Sequence, residues 1–249
     1  MGQALADMGV PGDVIMKRGD AFPAEPSTGP IYVCTRNDAL QGVIDQTPPE
    51  RRADLVFLQN GMLQPWLDAR GLGENTQALI YFAVAKMGES PTDGKTDANP
   101  EGLTAVTGKW AEAFAERLIS GGLSCKVLGS NAYTASMLEK LVWISAFMLV
   151  GAKHQVTVGE VEGSHQQEVA ALIEEMAVGG AKELGITLES GVVNRLCAYA
   201  RSVAHFPTAV KEFEWRNGWF YDISKRELQA GRPDPFPLHT KALHDLHVV

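Results

Sequence analysis

The hydrophobic pattern changes its period near the middle of the chain. In the first half, short continuous apolar runs alternate with polar stretches rich in Gly and Pro. Residues 2–8 read as a short helix, and Val14-Ile15-Met16 as a short buried strand. Gly29-Pro30 breaks the chain before a second strand, Ile31-Tyr32-Val33-Cys34-Thr35. Asp38 can cap a helix through Asp45 that places Leu40, Val43 and Ile44 on one face, and Pro48-Pro49 stops it. Leu55-Val56-Phe57-Leu58 is a third strand. Strand, helix and strand within about thirty residues make a βαβ unit. Runs that are apolar throughout fit a parallel sheet buried on both faces. Residues 79–84 predict a further strand and residues 88–103 a polar loop. Trp110, Phe114, Leu118 and Ile119 mark an amphipathic helix ended by Gly121-Gly122, after which residues 125–128 can close the sheet.

After Gly129 the pattern is helical. Residues 137–152 are apolar almost all round and predict a buried helix. Ser164 and Gln167 have the spacing of a capping box, with Val169, Leu172, Ile173 and Met176 following at helical intervals up to Gly185. Residues 192–203 read as another helix. The tail is less regular, with an aromatic stretch at 215–220, a Pro-rich stretch at 232–237 and a last helix at 239–247. The expected architecture is an α/β domain over residues 1–129, Rossmann-like but incomplete, then an all-α domain over 130–249.

Composition narrows the partners. With 30 acidic against 22 basic residues the chain carries a formal charge of −8. Such a surface repels phosphate backbones, so nucleic acid is not an expected partner. The longest apolar run spans 141–152, short for a bilayer, and no membrane is expected. Three widely spaced cysteines, Cys34, Cys125 and Cys197, argue against a disulfide framework and for a cytoplasmic or other reducing compartment. Six histidines include no H-E-x-x-H, and His244 with His247 lacks a third ligand in a tail expected to be solvated, so no metal site is expected.

Three places carry candidate chemistry. Met1-Gly2 followed by Gln3-Ala4-Leu5-Ala6 resembles the last Gly of a dinucleotide-binding loop with its helix under way. Lys17-Arg18, at the end of the next expected strand, stands where a basic pair can hold the 2′-phosphate of NADP. This reading implies a fold without its first strand, supplied by about ten residues ahead of Met1. Asn60-Gly61 follows a strand, at the end where open α/β sheets collect ligands. Lys140 opens a segment otherwise nearly free of charge. A buried lysine there, with a lowered pKa, can donate a proton to a nascent alkoxide.

Together these places resemble the ketopantoate reductase family, within the 6-phosphogluconate-dehydrogenase-like superfamily. Asn60-Gly61 resembles that family's strand-end NG motif, and Thr35-Arg36 its basic residue after an earlier strand. Lys140-Leu141, followed by Val158-Gly159-Glu160-Val161, is similar to its catalytic Lys-Leu helix and the later NGEL-like stretch. The resemblance implies an NADP-dependent oxidoreductase that reduces a small 2-keto acid or related carbonyl. Lys140 and Asn60 would be catalytic, and Gly2, Lys17, Arg18, Arg36 and Asn60 would bind cofactor. It also implies a substrate-binding Glu near the end, for which Glu212, Glu214 and Asp222 are the candidates. Two family amides, one and two turns beyond the lysine, are here Ile144 and Met148, which points to a substrate with an apolar arm. The Asn before the Gly-Glu pair is Val158. A homodimer is expected, with the apolar helix and residues 215–221 as contributors. The alternative is a non-catalytic binding protein descended from the same fold, with degenerate cofactor and substrate sites.

Overall fold

The structure, a computed structural model, describes residues 2–17, 19–83 and 91–249. Two compact units divide the chain: residues up to Lys95 with Glu101–Tyr133, and Thr96–Pro100 with Thr134–Val249.

The first unit is an α/β layer. Its elements are α1 (Gly2–Asp7), β1 (Ile31–Val33), α2 (Leu40–Gln46), β2 (Leu55–Phe57), α3 (Gln64–Asp68), β3 (Thr76–Leu79), β4 (Ala105–Thr107), α4 (Ala111–Ser120) and β5 (Lys126–Val127). The strands lie in sequence order in one five-stranded sheet. β1, β2 and β3 run parallel, with Ile31 opposite Leu55 and Val56 opposite Thr76. β2 is buried throughout, and its alternation sends Val56 into the cluster formed by Leu5 of α1 and Phe114 and Leu118 of α4. Leu55 and Phe57, fully or almost fully buried, point to the opposite face. The βαβ unit is thus where the apolar runs predict it.

The sheet is mixed rather than wholly parallel. β4 pairs antiparallel with β3, Ala78 opposite Val106, and only the β4–β5 pair restores a parallel step. The chain doubles back through an antiparallel bridge between Ala83 and Thr92 before it enters β4. The strand expected over 79–84 therefore ends at Leu79, and Val84 lies outside the described residues, as do residues 88–90 of the expected loop.

Val14-Ile15-Met16 is not a strand. It lies between glycines at φ +102° (Gly12) and +91° (Gly19), and Val14 and Ile15 are more than half exposed. The segment is tethered by side chains instead. Arg117 of α4 donates to Leu5 O at 3.0 Å, pairs with Asp13 at 2.6 Å and stacks over Tyr32. Asp38 does not cap a helix either. It sits inside a 3-10 turn over Asn37–Ala39, and its carboxylate pairs with Arg36 at 3.2 Å.

Helices build the second unit: α5 (Ser130–His154), whose first four residues belong to the first unit, α6 (Val158–Ser164), α7 (Gln166–Leu184), α8 (Val192–Ser202), α9 (Asn217–Gln229) and α10 (Pro237–Asp245). At 25 residues, α5 is long and apolar enough to cross a membrane by length and composition, but 67% of its most apolar window is buried in protein. It is a core helix. The capping box falls at Thr157 and Glu160, not at Ser164 and Gln167. Thr157 N donates to Glu160 Oε2 at 2.8 Å, while Glu160 N donates to Thr157 Oγ1. Ser164 is the last residue of α6, so its backbone is helical and unavailable as an extended cap. α7 ends at Gly185, φ +64°, as the sequence predicts.

The tail is more regular than its sequence suggests. Phe220 and Phe236 meet edge-to-face at 5.2 Å, and His239 is fully buried. Two glycines on α7 admit this packing. A Cβ on Gly179 would strike the Phe236 ring, and one on Gly180 would sit 2.7 Å from Leu138 Cδ1. Phe220 is thereby committed to the interior of its own unit, whereas Trp215, Trp219 and Tyr221 stay half-buried.

Candidate functional site

In the first unit the candidate residues gather at the carboxyl ends of β1 and β2. Gln59 is buried, and its amide ties the two strand ends together. Nε2 donates to Val33 O at 2.8 Å and to Thr35 O at 3.1 Å, while Oε1 accepts from Leu58 N at 3.1 Å. Asn60 follows, half-buried, and its main-chain carbonyl accepts from Asn37 Nδ2 at 3.0 Å. That contact fixes the turn through the backbone and does not consume the Asn60 side chain. Gly61 completes the turn at φ +109°, which a side chain rarely adopts.

Gly2 lies beside the same edge. A Cβ there would come within 3.3 Å of Cys34 Cβ, so the start of α1 abuts the end of β1 as closely as a glycine allows. Arg36 extends into solvent with its side chain 80% exposed. Lys17 is exposed in the irregular segment, its backbone N–H held by Asp20 at 2.7 Å. Arg18 lies outside the described residues. The structure thus brings Gly2, Asn60 and the strand ends together, whereas Lys17 follows a loop and not the strand end that the sequence suggests.

In the second unit Lys140 is 8% exposed, on α5. Burial, reinforced by the nearby Arg216 guanidinium, lowers its pKa to about 7. Neither Glu139 nor Glu160 compensates. Glu139 is bound to Arg195 at 2.5 Å, and Glu160 is committed to its capping box. Helical spacing puts Ile144 and Met148 one and two turns beyond Lys140 on the same face. They are the half-buried positions in a stretch, 140–151, otherwise closed to solvent.

Of the three acidic candidates near the end of the chain, Glu212 is set apart by geometry. It is half-buried, adopts a left-handed φ of 48° and pairs with Arg216. Glu214 is exposed, and Asp222 is an exposed partner of Lys225. A left-handed non-glycine held by a part-buried ion pair is a place where folds store strain. Arg216 itself was not foreseen from the sequence. It is largely buried, its own pKa lowered by desolvation, and its Nε has no hydrogen-bond partner among the described residues. Its one sequence signal is a lone arginine within the aromatic run 213–221.

The stretch Val158-Gly159-Glu160-Val161 has a structural job. Val158 N donates to Phe206 O and Gly159 N to Ala204 O, and a Cβ on Gly159 would meet Ala204 at 2.7 Å. A cavity of about 600 Å³ opens beside it, lined by Ala152, Thr157, Glu160 and Thr208 among others, near the C-terminal end of α5.

A Rossmann-like α/β unit followed by a helical unit is the fold of this chain. Solved structures of ketopantoate reductases and of D-mandelate dehydrogenase share it. The ketopantoate reductase of Ralstonia eutropha JMP134 superposes with a TM-score of 0.61 at 17% identity, over 87% of this chain and 75% of that one. D-mandelate dehydrogenase with NADH and anilino(oxo)acetate gives 0.60 at 16% identity, over 89% and 76%. The dimeric ketopantoate reductase from Staphylococcus aureus gives 0.58 at 16% identity, over 87% and 77%. No family model matches the sequence, and no curated protein does.

Proposed function

We propose that the protein is a nicotinamide-dependent reductase of a small 2-keto acid carrying an apolar arm. The observation that carries this reading is Lys140, a buried lysine poised near neutrality, with Ile144 and Met148 as the half-buried positions on its helix face. A lysine with this pKa is both a competent acid and a competent base near pH 7. When bound, a reduced nicotinamide supplies the hydride. Lys140 Nζ supplies the proton to the carbonyl oxygen, and Arg216 makes that ammonium more acidic. Of the three acidic candidates we assign Glu212 to the substrate site, because it alone pairs with Arg216.

The strand-end cluster fits a dinucleotide. Gly2 gives the close approach that a cofactor loop needs, and Asn60 offers an amide whose backbone is already fixed. NADP is the expected form, with Lys17, Arg18 and Arg36 as the cationic groups for its 2′-phosphate. The structure of D-mandelate dehydrogenase, one of the proteins sharing the fold, holds NADH, so the choice between the two cofactors is part of the test. The test is a calorimetric titration of the full chain with NADPH and NADH, then turnover with phenylglyoxylate and with ketopantoate. Binding of one nicotinamide and a preference for phenylglyoxylate are the expected results. A chain that binds neither cofactor is not this enzyme.

The second reading is a non-catalytic binding protein on the same fold. The specific observation in its favour is that Ile144 and Met148 give a polar keto acid no hydrogen bonds. We also propose a homodimer, as in the Staphylococcus enzyme, and a cytoplasmic or other reducing compartment, consistent with three free thiols.

A further inference from the structure

We propose that His154, His165 and Glu168 form a divalent-metal site of the zinc class in the helical unit, separate from the residues assigned to reduction. The three come from three places in the fold. His154 is the last residue of α5, His165 is the junction between α6 and α7, and Glu168 is in the first turn of α7. One ligand atom from each lies within 4.8 Å of the others. No sequence motif announces the set, because the first histidine is eleven residues ahead of the second.

The donor atoms are close enough together for one cation, although the two rings now stack instead of converging on a point. The two imidazoles lie nearly parallel, centroids 3.8 Å apart at an interplanar angle of 15°. Two nitrogens on a tetrahedral zinc stand roughly 3.4 Å apart, given Zn–N bonds near 2.0–2.1 Å. Glu168 faces both groups of its neighbours. Oε2 meets His154 Nε2 at 2.6 Å, and Oε1 accepts from Lys153 Nζ at 2.6 Å. Because an imidazole nitrogen binds a cation in its own ring plane, one ring must turn out of the stack for the three donors to meet one cation. Lys153 keeps the other carboxylate oxygen and so holds Glu168 in monodentate orientation, the role an outer partner commonly plays. Two imidazoles and a carboxylate leave a fourth position open, and that donor set selects zinc-like cations over magnesium or calcium. His154 and Glu168 are about a third exposed, so the cation has a path in from solvent.

The probe is zinc chloride alone, titrated calorimetrically into the full chain, with cobalt(II) as a spectroscopic substitute. One zinc per chain at micromolar affinity is expected, with the visible bands of tetrahedral cobalt(II). His154→Gln and His165→Gln should each weaken binding at least about tenfold, the scale on which metal sites respond to lost support. His247→Gln should bind as the parent does. Wild-type cobalt(II) protein should broaden the imidazole NMR signals of His154 and His165 first, which keeps the test independent of how any variant folds. Absence of one-to-one binding, binding retained by the double glutamine variant, or broadening centred on other histidines overturns the proposal.

Discussion

Lys140 and Arg216 are two cations buried in the same helical unit, and the second makes the first more acidic. Glu212 takes one arm of the Arg216 guanidinium and so holds it in place. Removing Arg216 therefore removes repulsion from Lys140 and leaves Glu212 to attract it. Both effects raise the lysine pKa toward its ordinary value. In Arg216→Met the alkaline limb of the reductase pH profile should move to higher pH. An unmoved limb would disconnect the two residues.

The parent profile has a definite sign. Reduction needs the ammonium form of Lys140, whose pKa is about 7. The rate should therefore fall as pH rises through about 7, and the reverse oxidation should rise over the same interval. Rates measured in both directions from pH 6 to 9 check this, and two flat profiles would remove Lys140 as the proton donor.

Lys140→Met keeps the alkyl packing and deletes the charge. Turnover should drop by at least about a hundredfold, the usual scale for losing a positioned acid. Stability should hold or rise, because a buried ammonium is disfavoured by desolvation. Full activity in the Met variant would show that the lysine is structural.

His239 gives a stability prediction with a pH window. Burial lowers its pKa to about 4, against a value near 6.5 in the unfolded chain, and Asp234 only partly opposes this. Between those values the unfolded chain binds a proton that the folded one refuses. Stability contributed by the neutral ring is present above about pH 6.5 and is lost as pH falls toward 4. Urea midpoints should fall across that interval in the parent and less so in His239→Gln, where the side-chain amide can still reach Asn217 Oδ1, now 3.0 Å from the imidazole Nε2.

Gln59 and Asn60 are neighbours with opposite expectations. Gln59→Ala strands the carbonyls of Val33 and Thr35 and the Leu58 N–H. A loss of about 1–3 kcal/mol is the usual consequence of leaving buried groups unpaired, to be read from denaturant midpoints. Asn60→Ala should leave stability nearly unchanged, since the Asn37 contact is to its backbone, while weakening nicotinamide binding. Equal effects of the two substitutions on stability would contradict this division.

Residues local in sequence were the legible ones. Leu55 to Phe57 are apolar on both faces, and the strand they form is buried on both. Lys140 stood out because its neighbours are apolar, and the structure buries it. Val14 to Met16 misled because three apolar residues carry no information about whether a partner strand exists. The antiparallel entry of β4 depends on a return bridge at Ala83 and Thr92, which no periodicity encodes. Arg216 and the pair His154–His165 acquire meaning only from neighbours distant along the chain. Ser164 failed as a cap because α6 runs through it, a fact set by Thr157 seven residues earlier.

The paired glycines of α7 bear on how this protein can be improved. Replacing helical glycine by alanine is a standard route to heat resistance, worth up to about 1 kcal/mol per exposed site. At positions 179 and 180 the same change would drive a methyl group into Phe236 or Leu138. Consensus-style engineering that scores residues by helix propensity alone would select these two substitutions and damage the docking of the final helices. A tolerant library should vary Phe236 together with Gly179, since a side chain at 179 fits only where residue 236 is smaller.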